Sequence, residues 1–327
     1  MALTMLAVAN PGQILLNQAI PNTRDGGNHP QLCDFLIPLS YDRAVVCLHG
    51  GGGTKESFAK NLLVTSSLTI TPSTVRWSGL NARAAIAVFP QGQAALGAVS
   101  AWNPNGADTR SANNPDGVTT WSNGVMWSGA DDPQFLIDLS TYIQATYPTV
   151  ASKMVLAGQS NGGMMVNRSW YDLPDSYTHF CALSGPAGID FLGRAAPSPV
   201  RPFFSQFGDL DEVIGINGGI AGPGVHFDDA EWMQQPDKLS RADVHYPTLT
   251  GWVGEMVQMQ ARITALTGGS LGTGVTTLAN NIGTVTKWTK AAGKMVLHRL
   301  SAATHETTSQ SRADGNVFNK WCFFADF

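Results

Sequence analysis

Short hydrophobic runs alternate along the chain with segments in which hydrophobic residues recur at helical spacing. We predict strands at 33–40, 44–50, 84–92, 153–158, 179–185, 201–208 and 294–300, and helices at 54–63, 132–148, 162–173 and 252–267. The helix at 132–148 is expected to have Asp132 as its N-cap and Pro133 as its first residue. Uninterrupted hydrophobic strands separated by helices predict an α/β fold, with a mostly parallel sheet and helices on both faces.

Two long segments interrupt this alternation. Residues 93–131 are rich in Gly, Asn, Ser and Trp, and residues 214–251 are rich in Gly, Asp and Pro. Irregular insertions in a compact domain are usually functional loops or lids, so we expect both to lie near an active site. The chain, 1–327, is predicted to form one domain with residues 1–30 as an N-terminal extension.

The composition narrows the class of protein. The 327 residues are 43% hydrophobic, enough for a large core, and only 13% charged, with a net charge of -4. The chain has no run of Lys and Arg for nucleic acid and no hydrophobic run of transmembrane length, so neither partner is expected. The N-terminus lacks the basic and hydrophobic regions of a signal peptide, which leaves a cytoplasmic protein or a secreted one with its signal removed.

The four cysteines have no spacing typical of a zinc or redox site. Cys47 and Cys181 lie in predicted strands, where we expect buried free thiols. The segment "HETTS" after the last strand ends in Ser309 where a zinc protease motif requires a second histidine, so no metal site is predicted there.

The spelling G-x-S-x-G occurs twice, around Ser160 and around Ser270. By chance it arises on the order of once in four chains of this composition, so its context decides. A nucleophile elbow needs a strand before the serine and a helix after it, with small residues two positions away on both sides. Ser160 meets these conditions through Gly158 and Gly162, whereas Ser270 follows a helix. We therefore predict Ser160 as a nucleophile and Ser270 as a loop residue.

A serine nucleophile needs a base and a carboxylate, which follow it along the chain in sheets of this type. "FFSQFGDLDEVIG" supplies Asp209 and Asp211 after one strand, and "KMVLHRLSAATHETT" supplies His305 after the last strand. Of the seven histidines, His305 alone lies both beyond the last strand and downstream of these carboxylates. Both carboxylates remain candidates at this point.

The transition state of acyl transfer carries an oxyanion that needs N–H donors. The turn "LHGGGG" (48–53) follows a predicted strand and can present backbone N–H groups without side-chain obstruction. The N–H groups of Gly51 and of Asn161, the residue after the nucleophile, are the expected pair.

With these motifs the chain resembles the esterase family that includes polyhydroxyalkanoate depolymerases and feruloyl esterases. The resemblance rests on "LHGGGG", "GADDPQFLIDLSTYI", "KMVLAGQSNGGMM", "GDLDEVI" and "ATHE", in the family's order over roughly residues 35–310. It implies an α/β-hydrolase fold, no cofactor, and hydrolysis of carboxylic esters by Ser160, Asp211 and His305. The family's acid motif has one residue more before its valine, so Asp209 remains the alternative acid.

The expected activity is ester hydrolysis through an acyl-enzyme, on a small or polymeric ester of the polyhydroxyalkanoate or feruloyl type. Trp102 and Trp127 are expected to line the substrate site, because aromatic faces suit such acyl groups; the alternative is that they pack in the core. A peptidase or amidase with the same triad and a non-catalytic binding protein with the same fold are the alternative functions.

Overall fold

The computed structural model describes the strands, the helices and most of the turns that connect them. The described residues are 12–20, 31–51, 53–63, 69–75, 77, 80–81, 84–94, 119–121, 131–186, 194–211, 259–265, 267–270, 272–279, 283–290, 295–301 and 303–305. Trp102, Trp127, the insertion 214–251 and Cys322 lie outside these ranges.

The described strands are β1 (Gln13–Ile20), β2 (Gln31–Ile37), β3 (Arg43–Leu48), β4 (Ala85–Pro90), β5 (Gln93–Ala94), β6 (Thr119–Thr120), β7 (Met154–Gln159), β8 (His179–Leu183), β9 (Phe203–Gly208), β10 (Val275–Ala279), β11 (Gly283–Lys290) and β12 (Met295–Leu300). The helices are α1 (Lys55–Leu63), α2 (Asp132–Thr146) and α3 (Asn161–Asp172), and residues 259–265 are also helical. Each strand predicted from a hydrophobic run is present, with ends shifted by a few residues.

Ten of these strands form one twisted layer in the order β1-β2-β4-β3-β7-β8-β9-β12-β11-β10. The six central strands, β4 to β12 in this order, pair in parallel, and the two strands at each edge pair antiparallel. The mostly parallel sheet is confirmed. Because parallel strands point the same way, their carboxyl ends lie together. The turns after β3, β7, β9 and β12 are therefore all on this side of the sheet.

Helices cover both faces of this sheet. Successive residues of β3 point to opposite faces, so Val46 packs with Phe135 of α2 and with α3, whereas Val45 packs with Phe58 of α1. The side chains of β3, β4 and β8 are buried along their whole length, and each buried aliphatic or aromatic side chain contributes about 1.5–3 kcal/mol. The free thiols of Cys47 and Cys181 are buried in this core, as predicted.

Helix α2 begins one residue earlier than predicted. Its N-cap is Asp131, whose carboxylate accepts a hydrogen bond from the N–H of Gln134 at 3.1 Å, and Asp132 is a buried helical residue. The prediction of Asp132 as N-cap was therefore wrong. The helix ends at Thr146 because the residue before a proline, here Tyr147 before Pro148, disfavours the helical conformation.

Five strands had no counterpart in the sequence prediction: the two-residue strands β5 and β6, which pair with each other in the insertion 93–131, and β1, β10 and β11 of the large sheet. β1 lies within the segment predicted as an N-terminal extension and pairs with β2, and β10 and β11 form an antiparallel pair beside β12. Threonines interrupt β10, and threonines and lysines interrupt β11, so neither contains a continuous hydrophobic run. None of the described helices is both long and hydrophobic enough to cross a membrane.

Candidate active site

The turn between β7 and α3 holds Ser160 in an unusual backbone conformation. Its φ is 53° and its ψ is -122°, a combination that costs a non-glycine residue of the order of 1–3 kcal/mol. The N–H of Ser160 donates to the carbonyl of Leu183 in β8 at 2.8 Å, which anchors the turn to the neighbouring strand. Helix α3 begins at the next residue, so its N-terminus lies beside the serine.

The two glycines that flank Ser160 are required by close backbone packing. A Cβ atom on Gly158 would lie 2.4 Å from the carbonyl oxygen of Gly162, and a Cβ atom on Gly162 would lie 2.4 Å from the carbonyl oxygen of Leu48. Both distances are far inside van der Waals contact. The strand-turn-helix context and the need for small neighbours, both predicted from the sequence, are present.

Asp211 and His305 form a buried hydrogen-bonded pair. His305 Nδ1 lies 2.8 Å and 2.9 Å from the two carboxylate oxygens of Asp211, and the side chains of His305 and Asp211 are 6% and 1% exposed. A carboxylate only accepts hydrogen bonds, so Nδ1 is the donor, and in the neutral tautomer the lone pair is on Nε2. The contact with Asp211 sets the orientation of the His305 ring.

The turns after β9 and β12 are joined by backbone hydrogen bonds. The N–H of Asp209 donates to Leu300 at 2.9 Å, and the N–H of Leu210 donates to Ala303 at 3.0 Å. Since β9 and β12 are neighbouring parallel strands, these bonds extend the sheet pairing into the turns. The carboxylate and the imidazole thereby meet although they are 94 positions apart in the chain.

Asp209 makes a different contact. Its two carboxylate oxygens accept from Arg299 Nε at 2.7 Å and 2.9 Å, on a more exposed part of the same turn. The structure thus gives the two candidate carboxylates separate partners: Arg299 for Asp209 and His305 for Asp211.

The glycine turn after β3 lies against the turn that holds Ser160. A Cβ atom on Gly50 would lie 3.3 Å from Ser160 Cβ, and one on Gly51 would lie 3.7 Å from Asn161 Cβ. Gly51 and Asn161, the predicted donors, are therefore neighbours across the ends of β3 and β7. A glycine at either position keeps the approach to the serine open.

His49, at the start of this turn, is buried and neutral. Its Nε2 accepts the N–H of Gly92 at 2.8 Å, so Nδ1 carries the proton and donates to the carbonyl of Gly50 at 2.7 Å. Burial lowers the pKa of His49 to about 4, against contributions from the Gly50 carbonyl and Glu56 that raise it. The imidazole therefore holds one fixed tautomer near neutral pH.

Trp121 reaches the same place from the insertion at 93–131. It is fully buried, and its ring lies 5.2 Å from the His49 ring. It donates hydrogen bonds to His49 in the glycine turn and to Asn161 at the start of α3. Neither His49 nor Trp121 was assigned to the site from the sequence. The glycine turn contained a signal for His49, whereas nothing in the local pattern set Trp121 apart from Trp102 and Trp127.

Ser270 lies in an exposed loop after the helical residues 259–265 and 267, as predicted. Across the described ranges, no group of three or more His, Cys, Asp or Glu side chains is arranged to hold a metal ion.

Comparison with known proteins identifies the fold. The solved structure of an acetyl xylan esterase from Aspergillus awamori aligns with 96% of this chain and 100% of its own length, at a TM-score of 0.51 and 12% identity. The chain has the α/β-hydrolase fold. A thermostable esterase aligns with 62% of the chain and 48% of its own length at a TM-score of 0.40 and 13% identity.

The α/β-hydrolase chain is also similar in sequence to feruloyl esterase B of Neurospora crassa. The two are 27% identical over 158 residues, which make up 48% of this chain and 44% of the relative. The matched part thus spans less than half of either protein. The likeness confirms the predicted resemblance to feruloyl esterases. No protein-family model matches the sequence.

Proposed function

We propose that this chain is a serine hydrolase that cleaves carboxylic esters through an acyl-enzyme. The observation that carries the proposal is the buried His305–Asp211 pair. It lies at the carboxyl ends of the parallel strands, where Ser160 occupies a strained turn. Ser160 acts as nucleophile, His305 as base and Asp211 as the carboxylate that orients it. The order serine, acid, histidine along the chain is typical of α/β-hydrolases.

The reaction follows from these roles in two half-reactions. His305 Nε2 takes the proton of the Ser160 hydroxyl as its oxygen attacks the ester carbonyl, and a tetrahedral oxyanion forms. The imidazolium, stabilised by Asp211, gives this proton to the departing alkoxide, which leaves as the alcohol and yields the acyl-serine. Water then attacks the acyl-serine with His305 again acting as base, and the carboxylic acid is released.

The N–H groups of Gly51 and Asn161 are proposed to stabilise the oxyanion. The Gly50 carbonyl faces His49 Nδ1, and in a trans peptide the next N–H points the opposite way. The N–H of Gly51 is therefore directed away from the His49 ring. Asn161 begins α3, whose N-terminal dipole favours negative charge at the same point.

For the substrate we propose an ester of the feruloyl type, with a polyester of the polyhydroxyalkanoate type as the alternative. The likeness to feruloyl esterase B supports the first. Trp102 and Trp127, in the insertion 93–131, are proposed to form a wall for the acyl or alcohol group. Trp121, from the same insertion, reaches the candidate site, which supports placing the insertion near it.

A panel of esters tests the activity and the substrate class together. Purified protein is assayed on short p-nitrophenyl esters, methyl ferulate and polyhydroxybutyrate film, with Ser160→Ala as the inactive control. Hydrolysis of the esters, abolished in Ser160→Ala, is expected, with methyl ferulate the better natural-type substrate. Wild-type protein without activity on any ester would instead favour a binding protein of this fold. Faster cleavage of an amide than of its matched ester would indicate a peptidase or amidase.

A further inference from the structure

Trp121 connects the two segments that carry the proposed oxyanion donors. Its ring Nε1–H donates to the carbonyl oxygen of His49 at 2.9 Å, and its backbone N–H donates to Asn161 Oδ1 at 2.8 Å. The first contact holds the glycine turn after β3, and the second holds the first residue of α3. One residue thus links the ends of two neighbouring strands.

Both hydrogen bonds are in a fully buried environment, since Trp121 has no exposed surface. A buried donor that loses its partner has no water to replace it, so each bond resists being broken. The indole ring has a single N–H, so the contact with the His49 carbonyl uses the whole donor capacity of the ring. The spacing between the glycine turn and Asn161 is consequently fixed from a third segment of the chain.

We propose that Trp121 is a positioning residue, which sets the relative placement of the Gly51 and Asn161 N–H groups for the oxyanion. The inference rests on the proposed function, because it assigns Trp121 a role in that same reaction. Oxyanion donors act only when they lie within hydrogen-bonding distance of the oxygen in the transition state. A displacement of about 1 Å in a catalytic group can reduce the rate by about 100-fold.

Trp170 provides a matched control. It is 1% exposed, and its ring N–H donates to the backbone carbonyl of Arg201 at 2.8 Å, the same kind of bond that Trp121 makes. It packs against Phe203 at the amino end of β9, whereas Ser160 lies beyond the carboxyl end of β7. Replacing either tryptophan by phenylalanine removes one buried ring N–H and keeps an aromatic ring.

The test compares Trp121→Phe with Trp170→Phe in kinetics, thermal melting and inhibitor affinity. We expect similar losses of Tm in the two variants. In Trp121→Phe, kcat should fall about 10- to 100-fold at nearly constant KM, because only the transition state uses the oxyanion donors. Affinity for an aryl boronic acid, which forms a tetrahedral adduct with the serine, should fall in parallel. Trp170→Phe should keep both values within about twofold of wild type, as expected for a bond far from the reacting atoms.

Asn161→Ala breaks the second contact of Trp121 while keeping the backbone N–H at position 161. It should also lower kcat and boronate affinity, and the double variant with Trp121→Phe should lose less than the product of the two single losses. If Trp121→Phe does not fold, Asn161→Ala decides the question. Unchanged kcat and boronate affinity in Asn161→Ala would overturn the proposal.

The outcomes separate this inference from the proposed function. If Ser160→Ala is inactive while Trp121→Phe behaves like Trp170→Phe in kcat and boronate affinity, only the positioning role is overturned. If Ser160→Ala retains the wild-type activity, the proposed function fails and the role of Trp121 fails with it.

Discussion

The turn around Ser160 and the loop around Ser270 share one spelling, G-x-S-x-G, in different surroundings. A Cβ atom on Gly162 would lie only 2.4 Å from the carbonyl oxygen of Leu48. A Cβ atom on Gly268 would meet no atom within 4 Å. Ser160 lies in a strained turn anchored to β8, and Ser270 is exposed. The comparison shows that packing around identical letters, and not the letters themselves, distinguishes a candidate nucleophile from a loop serine.

The largest expected effect separates the two serines. Ser160→Ala should lower kcat for a p-nitrophenyl ester by about 10⁵-fold, since the covalent route is lost. Ser270→Ala, its matched control in the second spelling, should stay near wild type because the side chain is exposed. Initial rates at saturating ester measure both. A reversed result would remove Ser160 from the proposed mechanism.

The two carboxylates extend the comparison to another pair of identical residues. Asp211→Asn should lower kcat about 10³- to 10⁴-fold, because the amide no longer fixes the His305 tautomer or stabilises the imidazolium. Asp209→Asn breaks the half-exposed pair with Arg299 and should cost at most about 1 kcal/mol of stability. Steady-state kinetics and urea unfolding on both variants measure these effects. Equal losses of kcat in the two variants would contradict the assignment of Asp211 as the one carboxylate that orients His305.

The glycines of the two spellings provide a stability test. Gly162→Ala should lower the free energy of unfolding by about 3 kcal/mol or more, because its methyl group collides with the backbone of β3. Gly268→Ala has space for the methyl group but keeps a φ of 71°, so it should cost about 1 kcal/mol. Urea unfolding of both variants gives the values. A tolerated Gly162→Ala would contradict the close packing of the turn around Ser160.

The buried imidazole of His49 predicts a stability that falls with acidity. Its pKa of about 4 in the folded protein lies below the ordinary value of 6.5, so between these values the unfolded chain binds the additional proton. Acidification from pH 6.5 to pH 4 should therefore remove about 2–3 kcal/mol of stability. Unfolding curves across this range, compared with His49→Gln, isolate the contribution. A variant with the same pH slope as wild type would show that other groups cause it.

The smallest expected effects distinguish tryptophans of one insertion. If Trp102 and Trp127 contact the substrate, replacing either by Ala should lose about 1–3 kcal/mol of kcat/KM for a bulky aromatic ester and less for a short one. The Tm should stay unchanged. Kinetics on both esters, with thermal melting in parallel, measure this. Equal losses on both esters with a large drop in Tm would mean that these rings pack in the core.

The sequence alone determined the elements whose physical causes are local. Continuous hydrophobic runs predicted the central strands because strands covered on both faces must be hydrophobic on both faces. The turn around Ser160 was predicted from the glycines at 158 and 162, since the crossing of strand and helix excludes side chains there. β10 and β11 were missed because they lie at the side of the sheet, where threonines in both strands and lysines in β11 interrupt the hydrophobic run.

Only the tertiary structure decided the choices between chemically equal neighbours. Asp131 and Asp132 both suit an N-cap, and the helix geometry selected Asp131. Asp209 and Asp211 follow the same strand, and their partners come from β12 and the loop beyond it, far along the chain. Trp121 likewise contacts His49 and Asn161, which are distant from it in the sequence. Such pairings depend on which strands become neighbours in the sheet, and local hydrophobic patterns carry no information about that order.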